Sequence, residues 1–295
     1  MTALTLLATD GFEDYRLIDS GGGRKLERYG AILIDRPEPQ AMWRPSHPNR
    51  WASAHARFQA AGEGEDGGRW QQMKPVPEAW PLRYRGLTVF ARLTPFRHIG
   101  LFPDQVGHWD WMADALSTAG IPQPRVLNLF AYTGVASLVA AAAGAEVTHV
   151  DASRKAIDWA KENQSASGLD PTSIRWILDD CLKFVEREVR RGRRYHGILL
   201  DPPKYGRGAK GEVWDLFEHL PALLAGCAAL LADDALFLIC TAYAMRASAI
   251  AIDQTVREAL ADRAGSWTTG ELAVREQGGQ RCVPTSLFVR WARDA

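Results

Sequence analysis

Short, mainly apolar runs begin at Val126, Val147, Ile174, Ile198 and Ala235, and stretches with helical spacing separate them. Runs of this length, bounded by turn residues, predict strands buried on both faces of a parallel sheet. The spacing also predicts a helix over 109–116, and the alanines at 140–143 are strong helix formers. Strand and helix in alternation predict a doubly wound α/β sheet. Two further apolar runs, over 272–274 and 286–289, flank Glu276-Gln-Gly-Gly-Gln280 and predict an antiparallel hairpin. Before Trp80 the texture changes: Gly21-Gly-Gly23, a strand-like Ala31-Ile-Leu-Ile34, then segments rich in proline and tryptophan. These features predict a small β-rich module over 1–95 and a main domain over 96–295. Within the module, Ala61-Gly-Glu-Gly-Glu-Asp-Gly-Gly68 is expected to be a mobile loop. The alternating segment 82–93 predicts a hairpin bridging the two parts.

Composition narrows the partners. Hydrophobic residues make up 46% of the 295 positions, enough for one large or two smaller cores. Lysine plus arginine (35) equals aspartate plus glutamate (35), so any contact with nucleic acid must come from a local patch. The four cysteines, Cys181, Cys227, Cys240 and Cys282, are scattered, and the seven histidines show no metal-ligand spacing. Neither a disulfide framework nor a metal site is expected, and the expected compartment is the reducing cytoplasm. No targeting segment or membrane span is expected.

Candidate chemistry sits where the apolar runs end. Val126-Leu-Asn-Leu-Phe-Ala-Tyr-Thr-Gly134 reads as a strand feeding a glycine-containing turn and then a helix, and the next run ends on Asp151. A carboxylate roughly 20 residues past such a turn is where a dinucleotide-type fold holds a pair of ribose hydroxyls. Alone, this pattern also admits a nicotinamide site or an ordinary structural turn. Gly197-Ile-Leu-Leu-Asp-Pro-Pro-Lys-Tyr205 sharpens it, because Asp201 closes a buried strand at the crevice where open α/β sheets bind ligands. Pro202 and Pro203 fix the backbone and remove two amide donors, which leaves carbonyls to accept from a target group.

With Gly100-Leu-Phe-Pro-Asp-Gln105 and Leu178-Asp-Asp-Cys181, these segments resemble the class I S-adenosylmethionine-dependent methyltransferases related to the bacterial large-subunit rRNA cytosine-C5 methyltransferases. The resemblance runs from about Phe96 to the C-terminus. It implies a Rossmann-like class I methyltransferase sheet with an antiparallel C-terminal hairpin, and S-adenosylmethionine as cofactor. Implied cofactor contacts are Asp104, Gln105, Phe130, Tyr132, Thr133, Gly134, Asp151, Ala152, Asp179, Asp180, Cys181 and Asp201. The amides of Tyr132, Thr133 and Gly134 would face the cofactor carboxylate at a helix N-terminus. Asp180 would accept from the adenine amino group, with a helix cap as the alternative, while Ser153 reads as a cap. The implied catalytic residues are Asp201, Pro202 and Tyr205, with Lys204 and Arg207 binding substrate; Lys204 intrudes before the aromatic of related amino-methyltransferase motifs.

One departure bears on the reaction. Methylation at cytosine C5 needs a thiolate to add at C6, and in Phe237-Leu-Ile-Cys-Thr-Ala-Tyr-Ala-Met245 the position of the family's cysteine holds Ala242. Cys240 lies two residues earlier on the same strand face, about 6–7 Å deeper, and reads as core. The implied acceptor is RNA, served by Arg83, Arg85, Arg92, Arg97, Lys204, Arg207 and Lys210 near aromatic residues, with Arg190, Arg191, Arg193 and Arg194 read as a solvated helix end. His98 is the histidine nearest the expected site. Alternatives are methylation of a protein or small molecule, a cofactor-binding RNA-recognition protein without catalysis, and a nicotinamide oxidoreductase.

Overall fold

The structure, a computed structural model, describes residues 3–62, 67–208, 211–243 and 247–294. Residues 63–66 of the glycine-rich acidic loop and Lys210 lie outside the described residues. The chain divides into two compact units: one of Met1–Leu7, Gly107–Leu272 and Thr285–Ala295, the other of Ala8–Val106 and Ala273–Pro284. Where a single cut after residue 95 was expected, segments of both units interleave along the chain.

The larger unit is built on strands β1 (Arg125–Leu129), β2 (Glu146–Asp151), β3 (Ile174–Leu178), β4 (Gly197–Leu200), β5 (Phe237–Tyr243), β6 (Ser266–Arg275) and β7 (Cys282–Ala292), of which β6 after Leu272 and β7 before Thr285 count with the other unit. The helices are α1 (Val106–Thr118), α2 (Val135–Ala142), α3 (Arg154–Ala166), α4 (Cys181–Arg190), α5 (Leu216–Leu230) and α6 (Ala249–Ala259). The sheet runs β3-β2-β1-β4-β5-β7-β6, with strand Thr5–Thr9 on the β6 edge. Strands β3 to β5 are parallel, and β7 enters antiparallel against β5. A dinucleotide fold has the order 3-2-1-4-5-6; here the returning strand slots between the fifth and the edge. The expected methyltransferase-type sheet is therefore the one observed.

Burial explains the apolar runs. Every residue of β4 is buried, and Gly197 lacks a side chain because a Cβ there would collide with the Phe237 ring on β5. Along β7, Val289 and Trp291 point into a core shared with Phe184, Leu223, Leu224 and Leu238. Each such side chain contributes about 1.5–3 kcal/mol on leaving water. Alternate residues face α1, where the His108 ring meets Phe288 at 4.8 Å and the Arg290 guanidinium lies 4.2 Å from the Trp111 ring. The sequence reading missed strand Thr5–Thr9. Its signature is the glycine at 270: a Cβ there would overlap the Thr5 backbone, so only glycine admits the edge strand.

The other unit is built on a five-stranded sheet, Tyr15–Gly21, Arg24–Tyr29, Ile32–Pro37, Ala56–Ala60 and Gly68–Gln72. The predicted hairpin is present as Trp80–Tyr84 paired antiparallel with Leu87–Ala91. It turns through Arg85 and Gly86, both at positive φ (49° and 79°), as a tight hairpin connection requires. Buried Glu27 organises this unit: Arg36 grips it with a two-pronged contact at 2.7 and 2.8 Å, and the hydroxyls of Tyr15 and Tyr29 donate to it at 2.9 and 3.1 Å. Despite burial, Arg36 and Lys25 hold its carboxyl down at about 2.

Candidate cofactor and acceptor site

Three adjacent strands, β2, β1 and β4, end side by side, and the predicted chemistry gathers at their C-terminal ends. After Leu129 the chain leaves β1 through two non-glycine residues in the left-handed region, Phe130 at φ 55° and Tyr132 at φ 49°. Such residues cost of order 1–3 kcal/mol each and persist where the surroundings fix them. Here the Phe130 N–H donates to Cys181 Sγ (3.3 Å), the Ala131 N–H to the Val150 carbonyl (3.1 Å) and the Tyr132 N–H to Asp151 Oδ2 (2.8 Å). The end of β2 and the first residue of α4 thus hold the turn in shape.

Below the turn lies a buried polar chain. Asn128 donates to Ser137 Oγ (2.9 Å), and Ser137 Oγ meets His149 Nδ1 at 3.0 Å. Burial pulls His149 down to about 3, so it stays neutral at ordinary pH. Gly134, at φ 83°, opens α2, and a Cβ there would lie 3.0 Å from Ala160 Cβ. Its absence serves helix packing as much as any ligand. The amides expected to face a cofactor carboxylate are in part engaged within the chain: the Tyr132 N–H by Asp151, and the Gly134 N–H by the Ala131 carbonyl (3.0 Å). A tight turn must satisfy its own donors first.

Asp151 ends β2 with both oxygens in use, Oδ2 by Tyr132 and Oδ1 by the Ser153 N–H (2.8 Å). An ionised carboxylate has about four acceptor positions, so each oxygen retains capacity for a hydroxyl. Burial raises the Asp151 pKa above the ordinary aspartate value, and the two amides oppose the rise. Ala152 follows, half-buried, and Ser153 caps α3 by accepting from the Ala156 N–H (3.3 Å).

At the end of β3, Asp180 is the N-cap of α4, its Oδ1 accepting from the Lys183 N–H (3.0 Å), which is the alternative left open from sequence. Asp179 is held by Arg187 at 2.5 Å. The Cys181 thiol is buried and donates to the Val150 carbonyl (3.9 Å), and desolvation keeps it protonated. Its observed role is to tie α4 to β1 and β2. Neither this use of sulfur nor Arg187 was foreseen: Cys181 acts on residues 31 and 51 positions away, and Arg187 reaches Asp179, 8 positions back, only once the turn from strand to helix has formed.

Asp201 follows β4, half-buried, with its N–H directed to the Leu129 carbonyl (3.5 Å). Lys204, Tyr205 and Arg207 are exposed, and the Lys204 ammonium lies 4.9 Å from the Tyr205 ring. Strand Tyr205–Arg207 pairs with Val213–Asp215 as a short antiparallel ribbon. The expectation of two open prolyl carbonyls is corrected for one of them: the Pro203 carbonyl accepts the Trp214 indole N–H at 2.7 Å. Sequence reasoning passed over Trp214.

Cys240 is fully buried on β5, in register with Leu200 and Val289, and burial together with the Asp201 charge pushes its thiol up. Cys227, also buried, is pushed up to about 12. Ala242 is buried too. Neither Cys240 nor Cys227 has the surroundings of a reactive thiolate. The basic run after α4 includes Arg191, which pairs with buried Glu188 at 3.0 Å. Asp104, Gln105 and His98 belong to the β-rich unit, where Asp104 and Gln105 are buried in the turn Pro103–Gln105 and His98 packs on Phe102. Among the described residues no group of acidic, histidine or cysteine side chains could hold a metal, and no helix is long and apolar enough to cross a membrane.

A family model for S-adenosylmethionine-dependent methyltransferases matches residues 43–263. Ribosomal RNA large subunit methyltransferase K of Neisseria meningitidis is 30% identical over 217 residues, 71% of this chain and 60% of that protein. Ribosomal RNA large subunit methyltransferase K/L of Shewanella frigidimarina is 39% identical over 112 residues, 37% of this chain and 15% of that protein. The chain therefore spans only part of these relatives. A solved structure from Agrobacterium tumefaciens, described as a methyltransferase dependent on the same cofactor, matches at 50% identity and TM-score 0.94, covering 99% of this chain and 95% of that one.

Proposed function

Because the chain belongs to the S-adenosylmethionine-dependent methyltransferases, we propose that it methylates RNA, ribosomal RNA first among its substrates, at the ends of β1, β2 and β4. The observation that carries this reading is the placement of two carboxylates at the ends of the strands that flank β1, Asp151 closing β2 and Asp201 following β4, on either side of the turn after β1. The turn, with its two strained residues and an acceptor at Asp151, fits a nucleoside-bearing cofactor. RNA is supported by the names of the relatives and by exposed Tyr205 beside Lys204 and Arg207, a stacking surface with cations for phosphates. In this reading the compartment is the cytoplasm.

When bound, the cofactor supplies an electrophilic methyl on a sulfonium. Asp201 and the Pro202 carbonyl accept the hydrogens of the incoming N–H or O–H, which orients its lone pair in line, and Asp201 takes the proton as the new bond to carbon forms. Catalysis is then positioning plus removal of a proton. Buried Cys240 offers no thiolate for attack at cytosine C6, so the acceptor in this reading is an amine or a hydroxyl.

Mass spectrometry of rRNA nucleosides from a strain lacking the gene tests the proposal. One methylated nucleoside should disappear and return on complementation with the wild-type gene, and not with Asp201→Ala. An unchanged inventory would redirect the search to protein or small-molecule acceptors.

A further inference from the structure

Trp214 is buried behind the acceptor loop, and nothing in the chemistry above uses it. Its indole N–H donates to the Pro203 carbonyl at 2.7 Å, and its ring lies 4.9 Å from the Phe130 ring at an interplanar angle of 58°. Phe130 is the left-handed residue that opens the turn after β1. Two residues on, the Leu216 N–H donates to the Lys204 carbonyl at 3.0 Å. One short segment thus holds successive carbonyls of the Asp-Pro-Pro-Lys loop. In the ribbon Trp214 pairs with Gly206, so both face inward, and Tyr205, Arg207 and Val213 face solvent. A Cβ at Gly206 would sit in ordinary van der Waals contact with Pro203 (3.4 Å) and Trp214 (3.7 Å), so the ribbon lies directly against both.

We propose that Trp214 is a positioning residue that couples the acceptor loop to the cofactor turn. One edge of the indole sets the direction of the Pro203 carbonyl, and hence of the Pro202–Lys204 backbone beside Asp201. The Phe130 ring packs against the same indole, tilted to it by 58°. The Pro203 carbonyl is thereby withdrawn from the acceptor, and the Pro202 carbonyl, which accepts no backbone hydrogen bond among the described residues, is the one offered to it. This rests on the proposed role of Asp201 at the acceptor.

Trp214→Phe keeps a ring against Phe130 and deletes the indole N–H; Trp214→Ala deletes both. Three readouts separate a positioning role from simple packing: S-adenosylhomocysteine affinity by calorimetry, transfer of tritiated methyl to total RNA, and hydrogen exchange by mass spectrometry of the Leu216 amide and of the Gly208 amide, which donates to the Glu212 carbonyl at 2.8 Å at the end of the ribbon. Trp214→Phe should lower kcat about 3- to 10-fold, the worth of one neutral hydrogen bond, with the dissociation constant within about twofold of wild type. Trp214→Ala should lower kcat by more than about 30-fold and weaken cofactor binding several-fold. In both, the two amides should exchange at least about tenfold faster. A Trp214→Phe protein with wild-type kcat and wild-type exchange overturns the coupling, even if its melting temperature falls. Should the wild type bind S-adenosylhomocysteine but methylate no RNA, the proposed function fails, and the exchange rates alone decide for or against the clasp.

Discussion

Replacing Asp151 by alanine tests the cofactor site at its best-defined residue. The carboxylate does two jobs: it accepts the Tyr132 and Ser153 amides at 2.8 Å each, and its remaining lone pairs are those assigned to two ribose hydroxyls. Loss of hydrogen bonds to a charged acceptor costs about 1.5–3 kcal/mol, so at about 1.4 kcal/mol per decade the affinity for S-adenosylhomocysteine should fall about 10- to 150-fold. The same substitution leaves two turn amides without their acceptor. That loss should cost the fold about 1–3 kcal/mol, or roughly 2–10 °C in melting temperature for a chain of this size. Asp151→Asn separates the jobs: it preserves shape and one acceptor oxygen, but turns a donor toward one amide, so its affinity should fall between wild type and alanine. Calorimetric titration at 25 °C reads the affinity and thermal unfolding the fold. A lowered melting temperature with a dissociation constant changed less than twofold would make Asp151 a turn-holding residue only.

Asp201→Ala should reduce the rate of methyl transfer by orders of magnitude with cofactor affinity little changed, because its contact with the acceptor matters mainly in the transition state; equal losses in both would make it a cofactor ligand. Cys240→Ser should keep most of the transfer rate and lower stability by about 1–3 kcal/mol, since a hydroxyl replaces a small apolar group in a dry core; a folded, cofactor-binding variant that transfers nothing would restore a thiol mechanism. Acid should destabilise the protein well above the carboxylate range. His108 and His149 are both pulled by burial to about 3, whereas the unfolded chain takes up a proton at each near pH 6.5. Their stabilising neutrality is therefore intact above about pH 6.5 and lost as pH falls toward 3, about 2 kcal/mol per histidine by pH 5. Urea midpoints at pH 7.5 and 5.0 should show this drop, with a smaller one in His108→Gln, and a flat profile would contradict it.

The strands in the runs from Val126, Val147, Ile174, Ile198 and Ala235 were legible because a buried strand is mainly apolar and pairs the few polar residues it carries, such as Asn128 and His149, inside the fold, and the residue that ends the apolar run marks the edge where the candidate site lies. Asp151 and Asp201 stand out for that reason. Asp180 was ambiguous, since a helix cap and a ligand acceptor ask for the same side chain, and in the structure it caps α4. Trp214, Arg187 and the Cys181 sulfur left no signal in the linear pattern, because each acts on a partner brought near only by folding. The edge strand Thr5–Thr9 was hidden for a related reason: its partner strand lies more than 250 residues away, and its only mark is the glycine at 270.

The central claim is that this site moves a methyl group from S-adenosylmethionine to RNA, and transfer of tritium from methyl-labelled cofactor to total RNA measures it directly. The wild type should label RNA in a manner blocked by S-adenosylhomocysteine, and Asp201→Ala, binding that product with unchanged affinity, should not. Label appearing in protein or small molecules with none in RNA, or equal labelling by the Asp201→Ala variant, would contradict the account.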